Sequence, residues 1–393
     1  MKILMLSHFF PSHKGGIEIV AGDLFREFSA RGHQVTWLAG NSTCPPESVG
    51  RSAPVPLRVF NSVEARIGLP FPIPTLGSAA SILREVRSAQ VVLLHDCLYL
   101  QNILAFVMAR LRGVPTIIVQ HIGQLSYRNP LINLTMKTAT AMVTRPMLSH
   151  ASRVIFISET TSRFFAGLRF QKSPELVFNG VDTGLYHPAS PDTRRAIRRD
   201  FKLPEDRPVM LFVGRFVEKK GIAAMRHMVS LRPDWTWAFA GWGPLDPSSW
   251  NAPNVRMYSD LRGPSLAALY RACDALVLPS WGEGFPLVIQ EALASGLPAV
   301  CAEETLQADP AMAEVARGAP LYPGDDHRTA VAFTAALEAV LDREGLRNSC
   351  RVFAASRYSW ARAADRYLEI LEGLLPPPSS APLSTRAATG SSL

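Results

Sequence analysis

Short, near-continuous apolar runs recur along this chain, and helix-length amphipathic segments separate them. Lys2–Leu6, Val91–His95, Thr116–Gln120 and Arg153–Ile157 are runs of this kind. A strand without polar alternation must be covered on both faces, and strands that alternate with helices form parallel sheets. Gly16–Ala30 carries apolar residues at Ile17, Val20, Ala21, Leu24, Phe25 and Phe28, a helical stripe that Gly32 closes. Gln34–Ala39 and Leu57–Phe60 complete a first series of strands. The pattern restarts at Val209–Gly214 and runs through the helix Ile222–Leu231, the strand Thr236–Ala240, the helix Ser265–Ala272, the strand Ala275–Pro279 and the helix Pro286–Ala294. With 393 residues, too many for one core, the chain reads as two α/β domains joined near Asn179–Ser190. The expected division is 1–180, 181–358, a closing helix within 359–375, and a disordered Pro/Ser/Ala-rich tail at 376–393.

Composition narrows the class. No stretch of about 20 residues is apolar and free of ionisable groups, so no spanning helix is expected. The opening MKILMLSHFF reads as a first strand rather than an export signal, because its apolar run is short and His8 interrupts it. The five cysteines are scattered and never spaced C-x-x-C, which argues against a disulfide framework or a structural zinc site and for a reducing, cytoplasmic setting. The net charge of +8 lies wholly in the first half: residues 1–188 hold 18 basic and 10 acidic side chains, the remainder 23 of each. Between Cys97 and Ser158 there is no Asp or Glu, while Arg110, Arg112, Arg128, Lys137, Arg145 and Arg153 are present. Such a surface suits an anionic membrane or a phosphate-bearing acceptor. In Gln124–Arg153, apolar residues mixed with Lys137, Arg145 and Arg153 read equally as an interfacial helix and as a helix pair lining an acceptor cleft.

The residues with chemistry to offer cluster at strand ends. In WGEGFPLVIQEALASGLPAV (Trp281–Val300), Pro286 stands at the start of a helix whose free N–H groups at Leu287 and Val288 would receive a diphosphate. Glu291 lies about five residues further in, roughly 7 Å along the axis, the offset of a ribose diol from a diphosphate; a carboxylate there accepts two hydrogen bonds. Glu283, on the tight loop before the helix, would face a transferred group. In FVGRFVEKKG, Arg215 and Lys220 occupy the connection after a strand, placed to stabilise charge developing on a leaving phosphate. Gly15–Gly16 and Gly241 would let backbone approach a phosphate or sugar closely. His121 ends a strand, where it can hydrogen-bond a sugar hydroxyl or stand near a reacting carbon. No G-x-x-x-x-G-K-[ST] or strand-bound G-x-G-x-x-G occurs, so neither a P-loop nor a nicotinamide site is expected. Asp325 and Asp326 sit in a turn away from these signals, and no metal is expected.

Five pieces in order, HFFPSHKGGIE, VFNGVD, VGRFVEKKG, AGWGP and EGFPLVIQEALASGLPAV, resemble the family 4 retaining glycosyltransferases of GT-B fold. The resemblance spans roughly residues 1–375. It implies two Rossmann-like domains facing across a cleft, with the closing helix crossing back onto the first. It also implies a hexose-type sugar moved from a UDP or GDP donor to a glycan or lipid-linked acceptor in polysaccharide or glycoconjugate synthesis, at the inner face of the cytoplasmic membrane. No metal, other cofactor or nucleic acid is implied. By similarity, Arg215 and Lys220 grip the diphosphate, Glu291 binds the ribose, Glu283, Phe285 and Pro286 contact the sugar, Gly16 closes over the diphosphate, and His121 stands near the anomeric carbon. Tyr258 belongs to the base-contacting loop, where Ser259 replaces the family's usual glycine. Two alternatives stay open: an inert GT-B module acting as an assembly partner, and a sugar-nucleotide hydrolase or epimerase on the same scaffold.

Overall fold

A computed structural model describes residues 1–13, 15–41, 44–61, 72–123 and 130–375; the expected tail at 376–393 lies outside them. The first sheet is built from β1 (Lys2–Leu6), β2 (Gln34–Gly40) and β3 (Ala53–Leu57). A small antiparallel hairpin, β4 (Val59–Phe60) with β5 (Ile73–Pro74), stands apart. β6 (Val91–His95), β7 (Thr116–Gln120), β8 (Arg153–Phe156) and β9 (Glu175–Leu176) complete the sheet in the all-parallel order β3-β2-β1-β6-β7-β8-β9. The second sheet contains β10 (Val209–Arg215), β11 (Thr236–Trp242), β12 (Val255–Tyr258), β13 (Ala275–Leu278), β14 (Ala299–Ala302) and β15 (Ala316–Ala319), ordered β12-β11-β10-β13-β14-β15. Both are doubly wound sheets whose strand order reverses beside the first strand of each half.

β1 shows why both faces must be covered. Ile3 and Met5 enter the cluster with Leu24, Phe25, Phe28 and Trp37, whereas Leu4 and Leu6 enter the opposite cluster with Ile82, Leu94, Phe106 and Leu148. The helix Gly16–Ala30 has the bounds its stripe predicts. One expectation is corrected: the strand read at Leu57–Phe60 ends at Leu57, begins at Ala53, and gives way to the β4 hairpin. Pro54 and Pro56 disguise it. They lack the N–H a central strand must donate, and the strand is accordingly at the sheet edge.

The chain crosses between the halves twice at one place. Val181 N–H donates to Tyr358 O at 2.6 Å, and Val181 bridges Ser359. The closing helix Trp360–Glu372 then packs on Gly16–Ala30, with Phe28 and Tyr367 rings 6.3 Å apart and Arg31 Nε 3.1 Å from Asp365.

Candidate active site

In doubly wound sheets, ligands bind beyond the carboxyl ends of strands where the order reverses. In the second domain that point lies between β10 and β13. The loop after β10 carries Arg215, Lys219 and Lys220; the loop after β13 carries Gly282, Glu283 and Gly284. Lys220 Nζ lies 2.9 Å from Glu283 Oε1 and Lys219 Nζ 3.9 Å from the same atom. The two strand-end loops are thus tied by ions as well as by Trp281 N–H donating to Lys219 O at 3.2 Å. Burial lowers the Lys219 pKa, neighbouring Lys220 and Arg215 add to this, and Glu283 and Glu304 oppose it. Arg215 is exposed and makes no ion pair among the described residues, so its charge is available to a ligand.

The helix after this loop is Leu287–Ala294, with Pro286 as its cap rather than its first residue. Leu287 and Val288 are in the first turn, where N–H groups have no intrahelical acceptor. Glu291, half-buried, accepts from Tyr270 Oη at 2.7 Å. Burial pushes its carboxyl up to about 6, against hydrogen bonds from Tyr270 and Tyr186. Phe285 is buried against Phe178 and Tyr358, ring centroids 5.6 and 5.3 Å away; its side chain anchors the loop to the domain crossing. Gly214 and Gly241 sit side by side, and a Cβ on Gly241 would stand 1.9 Å from Gly214 O, so both strand ends stay free of side chains at the cleft.

The first domain faces this with its own strand ends. Gly15 caps the helix Gly16–Ala30, and nothing lies within 4 Å of where a Gly16 Cβ would be. Glu18, fully buried in that first turn, meets His8 Nε2 at 3.0 Å and His13 Nδ1 at 2.8 Å. Burial raises its carboxyl, but the hydrogen bonds from His13 and His8 and the charge on His8 win and bring it down to about 2. Among the described residues this trio is the one set that could hold a metal ion; its ring nitrogens already bond Glu18. His121 follows β7 directly, its Nε2 lying 3.0 Å from His95 Nδ1, and its backbone N–H donates to Asp96 Oδ1 at 2.9 Å. Asp96 has φ +62°, and burial pushes its carboxyl up to about 7 despite backbone hydrogen bonds from His121 and Ile122. Burial also brings the His121 imidazole down to about 3, helped by the charge on His8.

The halves touch where Gly284 meets the His121 carbonyl: a Cβ there would lie 2.2 Å from His121 O. Glu159 N–H donates to Ala308 O across the domains at 2.8 Å. Beside this contact a cavity of about 340 Å³ is lined by Ile122, Thr160, Arg163, Phe164, Glu283 and Glu304, among others.

Arg215, Lys220, Glu283, Leu287, Val288 and Glu291 therefore share the ends of β10 and β13, with His121 opposite. Tyr258 ends β12, and its hydroxyl donates to Phe201 O at 2.7 Å. Asp325 caps the helix Asp326–Leu341 through Arg328 N–H. Lys219, Glu18, His95 and Asp96 escaped the sequence reading. The tandem Lys219–Lys220 and the His95–Asp96 pair closing an otherwise apolar strand were the signals available.

Two doubly wound domains with cations, paired glutamates and an open helix start at a shared cleft define a glycosyltransferase of GT-B type. The first half matches the family model described as Glycosyltransferase Family 4 over residues 14–185, and the second matches Glycosyl transferases group 1 over residues 207–343. The chain belongs to this family of glycosyltransferases. It is 24% identical to the D-inositol 3-phosphate glycosyltransferase of Corynebacterium aurimucosum, over 93% of this chain and 94% of that one. The match to the enzyme of the same name from Corynebacterium kroppenstedtii, 28% identical, spans about half of each chain, 50% and 48%. Sucrose-phosphate synthase from Thermosynechococcus elongatus superposes with a TM-score of 0.72 at 19% identity, covering 95% of this chain and 99% of the other. Anabaena Alr3699/HepE in complex with UDP and glucose gives 0.70 at 18%, covering 95% and 100%.

Proposed function

We propose that this glycosyltransferase moves a hexose from a UDP- or GDP-sugar, with retention of anomeric configuration, to a glycan or lipid-linked glycan. The observation that carries the donor assignment is the joining of the loops after β10 and β13 by Lys220 and Glu283, 2.9 Å apart, with Arg215 exposed beside them. In this reading Arg215 and Lys220 hold the diphosphate and stabilise the charge that grows on it as the glycosidic bond breaks. The N–H groups of Leu287 and Val288 bind its oxygens, Glu291 accepts the ribose diol, and Glu283 orients the sugar. The acceptor hydroxyl attacks on the face the leaving phosphate occupies, and that phosphate takes its proton. A complex of UDP and glucose with a protein of the same fold is compatible with this choice of donor.

The test is a donor panel, first thermal shift with nucleotides and then tagged-sugar transfer. A bound nucleotide at 100 times its Kd stabilises the fold by about 2.7 kcal/mol. Arg215→Ala and Glu291→Ala are expected to abolish or sharply reduce transfer; undiminished transfer in either variant refutes the site. Free sugar released at full rate without acceptor would favour a hydrolase, and nucleotide binding without turnover an inert module. Persistence of transfer in a chelator is expected, because no step uses a metal.

The basic first domain is proposed to rest on an anionic membrane, at its cytoplasmic face. No helix among the described residues is long and apolar enough to cross a membrane. Leu111, Leu134 and Met142 are 80%, 62% and 72% exposed beside Arg110, Arg112, Lys137 and Arg145, a mixture suited to the headgroup boundary. Residues 124–129 of the segment read as interfacial lie outside the described residues. Co-sedimentation with phosphatidylserine vesicles should weaken when Lys137 and Arg145 are neutralised; unchanged binding removes the idea.

A further inference from the structure

We infer that His95 is a positioning residue that fixes His121 as its Nδ1–H tautomer, so that His121 meets the bound sugar nucleotide as a hydrogen-bond donor and not as a base. The role assigned to His121 rests on the donor reading above; the tautomer does not.

His95 Nδ1 and His121 Nε2 lie 3.0 Å apart, with both residues buried and their rings tilted 32° at 5.2 Å between centroids. One hydrogen bond between two imidazole nitrogens needs one proton between them, so one ring donates and the other accepts. His95 Nε2 is buried and finds no partner among the described residues. Were His121 the donor, His95 would carry its own proton on Nε2, an N–H buried without an acceptor. Were His95 the donor, its Nε2 would be a bare lone pair. An unsatisfied buried donor costs about 1–3 kcal/mol, and orphaned buried N–H groups are rarer than under-used acceptors. His95 therefore holds its proton on Nδ1 and gives it to His121 Nε2, and the neutral His121 carries its proton on Nδ1. A charged ring is disfavoured in both, because burial lowers both pKa values.

The surroundings hold this arrangement still. Asn102 Nδ2 donates to the carbonyls of His95 and Asp96 at 2.7 and 2.9 Å. The Asp96 carboxylate takes the His121 backbone N–H. The His121 carbonyl abuts Gly284 of the Glu283 loop. His121 Nδ1 makes no hydrogen bond among the described residues, which leaves its N–H for a hydroxyl of the donor's sugar. A nitrogen that already bears its proton cannot take the acceptor's; that role stays with the leaving phosphate.

The experiment is a long-range ¹H–¹⁵N correlation spectrum of the ¹⁵N-histidine-labelled protein without ligand, with His121 assigned from a His121→Gln variant. Expected are a protonated Nδ1 and a bare Nε2 on His121, and a protonated Nδ1 on His95. A His121 protonated on Nε2, or on both nitrogens at neutral pH, overturns the inference. This readout needs no substrate, so it stands even if no sugar nucleotide is turned over, a result that would sink the donor reading alone. With the nucleotide sugar the panel identifies, His95→Phe should lower kcat on the order of 10- to 100-fold and leave Kd for the nucleoside diphosphate unchanged. His95→Asn, whose amide can still donate to Nε2, should recover part of kcat and keep the tautomer. Equal losses in the two variants would reduce His95 to a packing residue.

Discussion

Gly284 offers the sharpest test of how the two halves meet. A Cβ there would lie 2.2 Å from the backbone oxygen of His121, against an ordinary contact of 3.4 Å or more. The oxygen belongs to a strand end, and its chain is pinned by Asp96, so it cannot swing aside as a side-chain tip would. Gly284→Ala must therefore move the Glu283 loop away from His121 by about 1 Å. A displacement of that size between reacting partners costs about 100-fold in rate. Glu283 moves with the loop and loosens from Lys220, so kcat should drop by one to two orders of magnitude in a transfer assay. Melting temperature should shift by only a few degrees, because the strain relaxes by separation at the cleft without disturbing either core. Gly123→Ala is the control: its Cβ would meet Phe164 at 3.4 Å, an ordinary contact in the same cleft. A Gly284→Ala protein with undiminished kcat would refute the claim that this approach registers the two halves.

Glu291 predicts a pH dependence in donor binding. Its pKa is pushed up to about 6, and only the ionised form accepts both ribose hydroxyls. Donor KM should therefore rise as pH falls through about 6, and Glu291→Gln should flatten that limb at a uniformly higher KM; a KM constant down to pH 5 would refute the role. Asp309 is wholly buried at the domain crossing, where it accepts from Tyr358 Oη at 2.6 Å and from Arg357. Asp309→Ala orphans both donors and should cost about 3 kcal/mol, discounted from the buried-pair range because Arg357 is partly exposed, read as a clearly lowered denaturation midpoint. Tyr270→Phe, which removes one hydrogen bond to the Glu291 carboxylate, should move the pH limb of donor KM upward and leave kcat at saturation nearly intact.

The parts legible in the sequence are those where one physical demand fixes residue type locally. A doubly covered strand demands an apolar run, and β1, β6 and β7 were bounded correctly for that reason. A helix that must open onto a ligand demands a stop before it and a small-residue loop, and Gly282–Pro286 announces this. Long-range consequences were not legible. β3 hides behind two prolines that only an edge position permits. Tyr258 ends β12, and its hydroxyl is bound to Phe201, a partner 57 residues away. His95 and His121 lie 26 residues apart, and no spacing rule predicts that the ends of adjacent parallel strands present histidines to one another. Register does that: His95 pairs with Val119, which brings the residue after β7 alongside β6.

The two halves bring different side chains to the cleft. In the second half, the loops after β10 and β13 and the helix Leu287–Ala294 carry Arg215, Lys219, Lys220, Glu283 and Glu291, the cations and anions to which the proposed donor contacts are assigned. Strand ends in the first half carry His8, His95, Asp96 and His121, all buried, with His121 bonded to His95 and Asp96, and His8 to Glu18. The His121 imidazole, held neutral by burial, has no charge to offer a diphosphate. In the proposed reading it orients what the second half binds, so the division of labour follows from where charge is affordable: exposed Arg215 retains it, whereas fully buried His121 cannot.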